Sequence, residues 1–184
     1  MNPLHWAFDK LYPLIRFVYE KIQGHPWFNE VNEHLWIGGA PTYDRDYEFL
    51  RSAHIKAIVD LRAERSGNQA FIEENGIAYQ RIPVLDVMTP SNSDFDLGVE
   101  FIHQHVENGD IVLVHCAKGR GRSATMLAAY LMKYEGCTYQ EAKDLLTSKR
   151  SLVQLQGRHE RALETWMRLQ DFSSRPQVRE ESAD

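Results

Sequence analysis

Cysteine is nearly absent from this chain. Cys116 and Cys137 are its only two, they sit in unrelated surroundings, and no disulfide framework is therefore expected. So sparse a usage fits a reducing compartment, and the cytoplasm is the expected location. An excess of basic residues is missing too: 21 Lys and Arg against 26 Asp and Glu leave a formal net charge of -5. Nucleic-acid backbones are held by clustered cations, so no nucleic-acid partner is expected, and any anion site has to be local. Long apolar runs are lacking as well. A spanning helix needs about 20 largely apolar residues, whereas Asp9, Lys10, Pro13 and Arg16 interrupt the first 24 residues. No small-residue cleavage site follows that segment, which argues against a secretory signal. His5, His25, His34, His54, His103, His105 and His159 form no ligand set, so neither a metal nor another cofactor is expected.

What is present is 184 residues with 43% apolar content, enough for one compact core. At the N-terminus, Leu4, Phe8, Leu11, Ile15, Val18 and Ile22 fall on one helical stripe. Two readings compete for it, a helix packed on the domain and an interfacial helix making peripheral membrane contact through residues 1–24; the first is preferred. Strands are expected at Leu35–Ile37, Ile55–Leu61, Ile77–Val84 and Ile111–Val114, and the second of these is apolar enough for burial on both faces. Helices are expected over Tyr43–Ala53, Gln69–Asn75, Phe95–Glu107, Arg122–Tyr134 and Gly157–Phe172, with a loop over 86–94. Thr138 and Glu141 have capping-box spacing and mark one more helix start. Helices alternating with short apolar strands point to an α/β sandwich, a sheet covered by helices. The polar stretch 173–184 lacks apolar anchors and is expected to be disordered.

The run from Ile111 to Thr125 carries the chemistry. A buried strand feeds the loop His115-Cys116-Ala117-Lys118-Gly119-Arg120-Gly121, which opens a helix at Arg122-Ser123. Loop amides and the positive end of the helix converge on one point, and the glycines let the chain curl; Ala117 to Arg122 thus form a phosphate cradle. Arg122, six residues after Cys116, stands where the loop returns and can fork onto two phosphate oxygens. The same positive field favours the Cys116 thiolate, a nucleophile near neutral pH. Ser123 can donate a hydrogen bond to that thiolate, and His115 orients the loop from behind. Cys137, without basic neighbours, is read as an ordinary small residue.

His115-Cys116, Gly119 and Arg122-Ser123 match the HCxxGxxR[S/T] signature, so the chain resembles the protein tyrosine phosphatase superfamily. Ile82-Pro83-Val84, Phe101-Ile102 and the helix from Ser123 to Met132 look like its dual-specificity branch. This resemblance, spanning roughly residues 31–170, implies a central mixed, mostly parallel sheet flanked by helices. It also implies a metal-independent phosphomonoesterase working through a cysteinyl-phosphate intermediate. The domain would occupy 31–172, after an N-terminal helical segment over 1–30.

In that branch a general acid sits in a loop just after the strand that reads Ile82-Pro83-Val84 here, which selects Asp86; Asp94 and Asp96 lie at the next helix start and are read as caps. Lys118 and Arg120 flank Gly119 and are read as substrate contacts, a pattern similar to phospholipid and inositol phosphatases of the superfamily. Pro26-Trp27-Phe28, the stretch Leu35 to Pro41, Asp86 with Met88-Thr89, and Arg120 are similar to the mitochondrial-type phosphatidylglycerophosphate phosphatases. Ala117 replaces a basic residue of that group, and Asp60-Leu61-Arg62-Ala63-Glu64 stands where it has an acidic motif.

The expected substrate is a phosphorylated small molecule or lipid, with a dual-specificity protein phosphatase acting on phosphoproteins as the alternative. A silent phosphate-binding module and a rhodanese-like sulfur transferase are the competing classes. The former requires loss of the nucleophile, arginine or acid, and the latter leaves Ser123 and the acid loop without a purpose. A monomer is expected.

Overall fold

The computed structural model describes residues 13–14 and 16–173. Leu4, Phe8, Leu11 and Ile15 of the N-terminal stripe lie outside the described residues, as does the tail beyond Ser173. Within the described N-terminal part, Val18–Ile22 form a π-helical turn. Its packing residues are Arg16 and Tyr19, both buried, whereas Ile22 of the expected stripe is exposed. Arg16 forks onto Asp46, and its guanidinium lies over the rings of Trp27 and Tyr43 at 4.5 and 4.7 Å. A cation stacked between two aromatics and paired to a carboxylate thus fixes this segment to the domain.

Five strands build the sheet: β1 Phe28–Glu30, β2 Leu35–Gly38, β3 Ile55–Arg62, β4 Ala78–Val84 and β5 Ile111–His115. Their order is β1-β2-β5-β3-β4; β1 runs antiparallel to β2 and every other pairing is parallel. The sheet is therefore mixed and mostly parallel. Strand β1 falls inside the stretch expected to be a helical segment; three residues carry too little pattern to be recognised, and its Phe28 and the preceding Trp27 are buried.

Helices α1 Asp44–Ser52 and α2 Gln69–Glu74 cover one face, and α3 Asn92–Glu107, α4 Arg122–Tyr134, α5 Tyr139–Lys149 and α6 Gly157–Ser173 the other. Alternation along β3 serves both: Ala57, Val59 and Leu61 join the core beneath α3 to α6, while Ile58 joins the core with Leu50, Phe71 and Leu113, as does Ile55, which lies before a register shift between it and Ala57. Every residue of α4 from Arg122 to Leu131 is buried, so this helix is the spine of the larger core. Close approach of α3 to α4 depends on Gly98, where a Cβ would come within 2.6 Å of the Met126 sulfur.

Helix α3 starts at Asn92, three residues before the expected Phe95, because Ser91 and Asp94 close a capping box. Asp96 is not a cap. Its carboxylate accepts hydrogen bonds from Trp166 Nε1 and Gln170 Nε2, each at 2.8 Å, and ties α3 to α6. The box of Thr138 and Glu141 opens α5 as its spacing suggested. Because β3, β4 and β5 are parallel, their carboxyl ends share one edge of the sheet, with His115 opposite both Gly38 and Asp60. Ligand sites of open α/β sheets lie outside that edge.

Candidate active site

The turn from Cys116 to Gly121 leaves β5 and enters α4. Four successive carbonyls of this turn are held from outside. Ala117 O accepts from the Ala40 amide at 3.2 Å, and Arg120 O from the Gln154 amide at 3.0 Å. Lys118 O and Gly119 O both accept from Arg150, each at 3.0 Å. In a trans peptide the C=O and N–H point to opposite sides, so pinning these carbonyls outward turns the following amides inward, onto one centre. Gly119 makes this path possible: its φ is +66°, and a Cβ there would meet Gly38 backbone atoms at 2.6 and 2.7 Å.

Cys116 stands at that centre, 3% exposed, on the floor of a cleft of about 290 Å³. Burial alone would push its thiol up. The Arg122 charge, the Ser123 hydroxyl and amide, and the Arg120 amide outweigh that penalty and bring it below the ordinary thiol value. Ser123 Oγ donates to Cys116 Sγ at 3.5 Å.

Arg122 is held on three sides. Its two terminal nitrogens donate to Glu64 Oε2 and Oε1 at 2.8 and 2.9 Å, Nη1 also donates to Val84 O at 2.8 Å, and Nη2 lies 3.2 Å from Asp86 Oδ1. Nε has no hydrogen-bond partner among the described residues. Asp86 is 43% exposed and lines the same cleft as Cys116. Its neighbour Val87 has φ +62°, a left-handed conformation costly for a β-branched side chain, so the loop carrying Asp86 is strained by roughly 1–3 kcal/mol. Nothing local in the sequence from Asp60 to Glu64 indicates a partner for Glu64; only the fold, by bringing the end of β3 beside α4, makes the pairing.

Behind the turn, His115 is buried and its Nδ1 donates to Cys116 O at 3.3 Å. Burial pushes its pKa down to about 4, with the Asp60 charge offsetting part of the penalty, so the ring is neutral at pH 7. Asp60 itself is fully buried and accepts from Arg62 Nε and Nη2 and from the Tyr79 hydroxyl. Arg150, 1% exposed, donates beyond the turn to Trp27 O and to Asn29 Oδ1. It therefore links the phosphate turn to β1. Nothing in the local sequence around Arg150 indicates this, since its partners lie about 30 and 120 residues away.

Lys118 and Arg120 line the cleft as expected from their place in the turn, and they are joined by Arg158 and His159 from α6. Val87 and Met88, 67% and 57% exposed, form an apolar part of the same wall. Asp94 and Asp96 do not belong to the cleft lining. Among the described residues no group of three or more His, Cys, Asp or Glu could hold a metal ion.

A thiol ringed by inward amides and paired with an arginine, at the carboxyl edge of a mostly parallel sheet, is the layout of cysteine-dependent phosphatases. Residues 35–168 match the dual specificity phosphatase catalytic domain. The chain is 30% identical over 164 residues to the phosphatidylglycerophosphate phosphatase PTPMT2 of Arabidopsis thaliana, covering 87% of this chain and 70% of that protein. It is 35% identical over 125 residues to dual specificity protein phosphatase 5 of Homo sapiens, covering 67% of this chain but only 31% of the relative. The crystal structure of PTPMT1 in complex with PI(5)P superposes with a TM-score of 0.74 at 20% identity, covering 82% of this chain and all of that one, a likeness of fold. The chain belongs to the dual specificity phosphatase family, and it is a cysteine-based phosphoric monoester hydrolase.

Proposed function

We propose that Cys116 attacks the phosphorus of a phospholipid or inositol phosphate monoester, with Arg122 and the turn amides holding the phosphate oxygens. An incoming phosphate would take the Nε and Nη2 donors of Arg122, displacing Asp86, which lies 3.2 Å away before substrate enters. The released carboxylate takes a proton from solvent or from the incoming phosphate monoanion and then faces the leaving oxygen. As the S–P bond forms and the P–O bond breaks, Asp86 gives its proton to that oxygen, leaving a cysteinyl phosphate. Water next attacks the phosphorus, Asp86 takes its proton, and the thiolate departs with the phosphate released as inorganic phosphate. The Ser123 hydroxyl stabilises the departing sulfur.

The observation that supports a lipid monoester is the two-sided mouth of the cleft. Lys118, Arg120 and Arg158 offer positive charge, while Val87 and Met88 offer exposed apolar surface. An amphiphile with an anionic head suits both at once. The PTPMT2 relative is named for phosphatidylglycerophosphate, which fits the same reading. Exposed Leu14, Phe17 and Ile22 support peripheral membrane contact by the N-terminal segment. Among the described residues no helix is long and apolar enough to cross a membrane.

A panel of phosphatidylglycerophosphate, phosphoinositides, soluble inositol phosphates and phosphopeptides tests the substrate class, with Cys116→Ser as control. Faster release from lipid phosphates supports the reading; faster release from phosphopeptides transfers it to the protein phosphatase alternative. Liposome co-sedimentation with and without residues 1–24 tests the membrane contact, and unchanged binding ends it.

A further inference from the structure

Tyr19, Trp27 and Asn29 precede residue 31, where the sequence places the start of the catalytic domain, yet all three bear on Arg150. The Arg150 guanidinium carbon lies 5.2 Å from the centre of the Tyr19 ring and 5.5 Å from that of the Trp27 ring. The two rings are 6.2 Å apart and inclined at 70°. Both are buried, so the cation sits in a dry corner of two aromatic faces, where its attraction to them is strongest. Arg150 Nη1 completes the grip by donating to Asn29 Oδ1 at 2.6 Å and to Trp27 O at 3.0 Å. The rings constrain the plane of the fork, and the acceptors constrain its rotation within that plane.

The rest of the fork meets the phosphate turn. Arg150 Nε donates to Gly119 O and Nη2 to Lys118 O. Gly119 O belongs to the same peptide as the Arg120 amide, one of the donors that favour the Cys116 thiolate. A planar trans peptide joins these two contacts rigidly, so tilting its carbonyl swings its N–H relative to the sulfur. Lys118 O governs the Gly119 amide in the same way. The corner is itself braced: Arg16, paired with Asp46 of α1, lies over the Trp27 ring at 4.5 Å. Trp27 Nε1 donates to Ala40 O at 3.0 Å, and the Ala40 amide donates to Ala117 O at 3.2 Å. Trp27 thus reaches the turn by two routes.

We propose that Tyr19, Trp27 and Asn29 are positioning residues for the phosphatase reaction: by orienting the Arg150 fork they set the tilt of the two peptides that follow Lys118 and Gly119, and hence how closely the cradle amides address Cys116 and a bound phosphate. The N-terminal segment thereby shapes the cradle from outside it. The inference rests on the role given above to Cys116.

Full-length variants are compared at a temperature well below every melting point. Tyr19→Leu and Tyr19→Met remove the ring face, with Met refilling the space; Tyr19→Phe keeps the face, and Asn29→Ala removes one acceptor. Alkylation of Cys116 by iodoacetamide against pH reads the thiolate, and inhibition of nitrophenyl phosphate hydrolysis by inorganic phosphate reads the cradle. The leucine and methionine variants should move the alkylation rise to higher pH and weaken phosphate inhibition by about three- to ten-fold. Asn29→Ala should act in the same direction to a smaller extent, and Tyr19→Phe should recover most of both readouts. None of these variants alters an ionisable group lining the cleft, so a shift reports on the amides. Ile102→Ala, in the core that does not contain Tyr19 and Trp27, controls for lost stability and should leave both readouts in place. Unshifted readouts in the Tyr19→Leu, Tyr19→Met and Asn29→Ala proteins, or equal shifts in Ile102→Ala, overturn the proposal; if the Tyr19 variants do not fold, Asn29→Ala decides. Hydrolysis that persists in Cys116→Ser would defeat the nucleophile assignment instead, an outcome that phosphate inhibition does not depend on.

Discussion

Both carboxylate oxygens of Glu64 are bonded to the terminal nitrogens of Arg122, at 2.8 and 2.9 Å. Burial raises the Glu64 pKa, but the Arg122 hydrogen bonds and charge overcome this and hold it below the ordinary carboxylate value. The pair fixes the plane of a guanidinium whose remaining donors face the cleft, so the fork is aimed before substrate arrives. Glu64 acts through another residue and is a positioning group. Glu64→Gln should lower kcat about ten- to a hundred-fold with a smaller change in KM, since misaiming costs most where charge develops. Glu64→Asp should restore less than Glu64 but more than Glu64→Gln. Equal losses in the two variants, tracking their melting temperatures, would indicate a purely structural role.

The Cys116 thiol titrates below its ordinary value, which fixes the sign of a pH effect. Below its pKa the sulfur is protonated and inert, so alkylation by iodoacetamide rises with pH and levels off earlier than for a free thiol. Ser123→Ala removes a hydrogen bond that favours the thiolate and should move this rise to higher pH. Arg122→Met should move it further, because the arginine charge contributes more than the hydroxyl. An unshifted profile in both variants would mean that the turn amides alone set the thiolate.

Three aspartates follow β4, and the different roles proposed for them predict that their amide or alanine variants separate cleanly. Asp86→Asn should cost about 10²–10⁴-fold on an alkyl phosphate, whose leaving oxygen needs a proton, and much less on a nitrophenyl phosphate. Asp94→Ala removes the return bond of the Ser91 capping box and should cost about 1 kcal/mol of stability with turnover intact. Asp96→Ala strands Trp166 Nε1 and loosens α6 from α3. Chemical denaturation together with rates on the two esters distinguishes all three.

Arg150 holds two of the four outward carbonyls of the phosphate turn and also reaches Asn29 of β1. Arg150→Met fills similar volume but leaves buried carbonyls without donors, a loss of roughly 2–4 kcal/mol. Melting temperature and kcat should fall together. Arg150→Lys keeps the charge yet cannot span Gly119, Lys118 and Trp27 at once, so it should rescue stability more than rate. A lysine variant with full activity would show that the charge, not the fork, holds the turn.

The strand, turn and helix around Cys116 were legible in the sequence because all their determinants are local: a β-branched run, glycines, and Arg122 and Ser123 at set offsets. The larger elements followed from apolar periodicity for the same reason. Short β1 was missed, since three residues hold no period, and α3 was started late because its cap, Ser91 with Asp94, precedes its first apolar residue. The partners of the turn were missed for a different reason. Glu64, Arg150 and His159 reach it from three separate parts of the chain, and nothing in their neighbours differs from an ordinary solvated or core residue. Asp96 was misread because proximity to a helix start is a local cue, whereas its actual partners, Trp166 and Gln170, are about 70 residues away.

Neutral His115 links the site to acid stability. Its folded pKa is about 4, against an ordinary value of 6.5. A group depressed on folding binds fewer protons in the native state, so its contribution is fully present above pH 6.5 and is lost as pH falls toward 4. That difference corresponds to about 3 kcal/mol, lost across the window from pH 6.5 to pH 4. The denaturant midpoint should therefore drop between pH 7 and pH 4 in the parent. His115→Gln has nothing to protonate there, and its midpoint should fall more gently over the same interval. Because Nδ1 of His115 donates to Cys116 O, the same variant should also slow alkylation or turnover at pH 7 if the ring orients the turn. Parallel midpoint curves for the two proteins would place the acid sensitivity elsewhere, in the buried carboxylates.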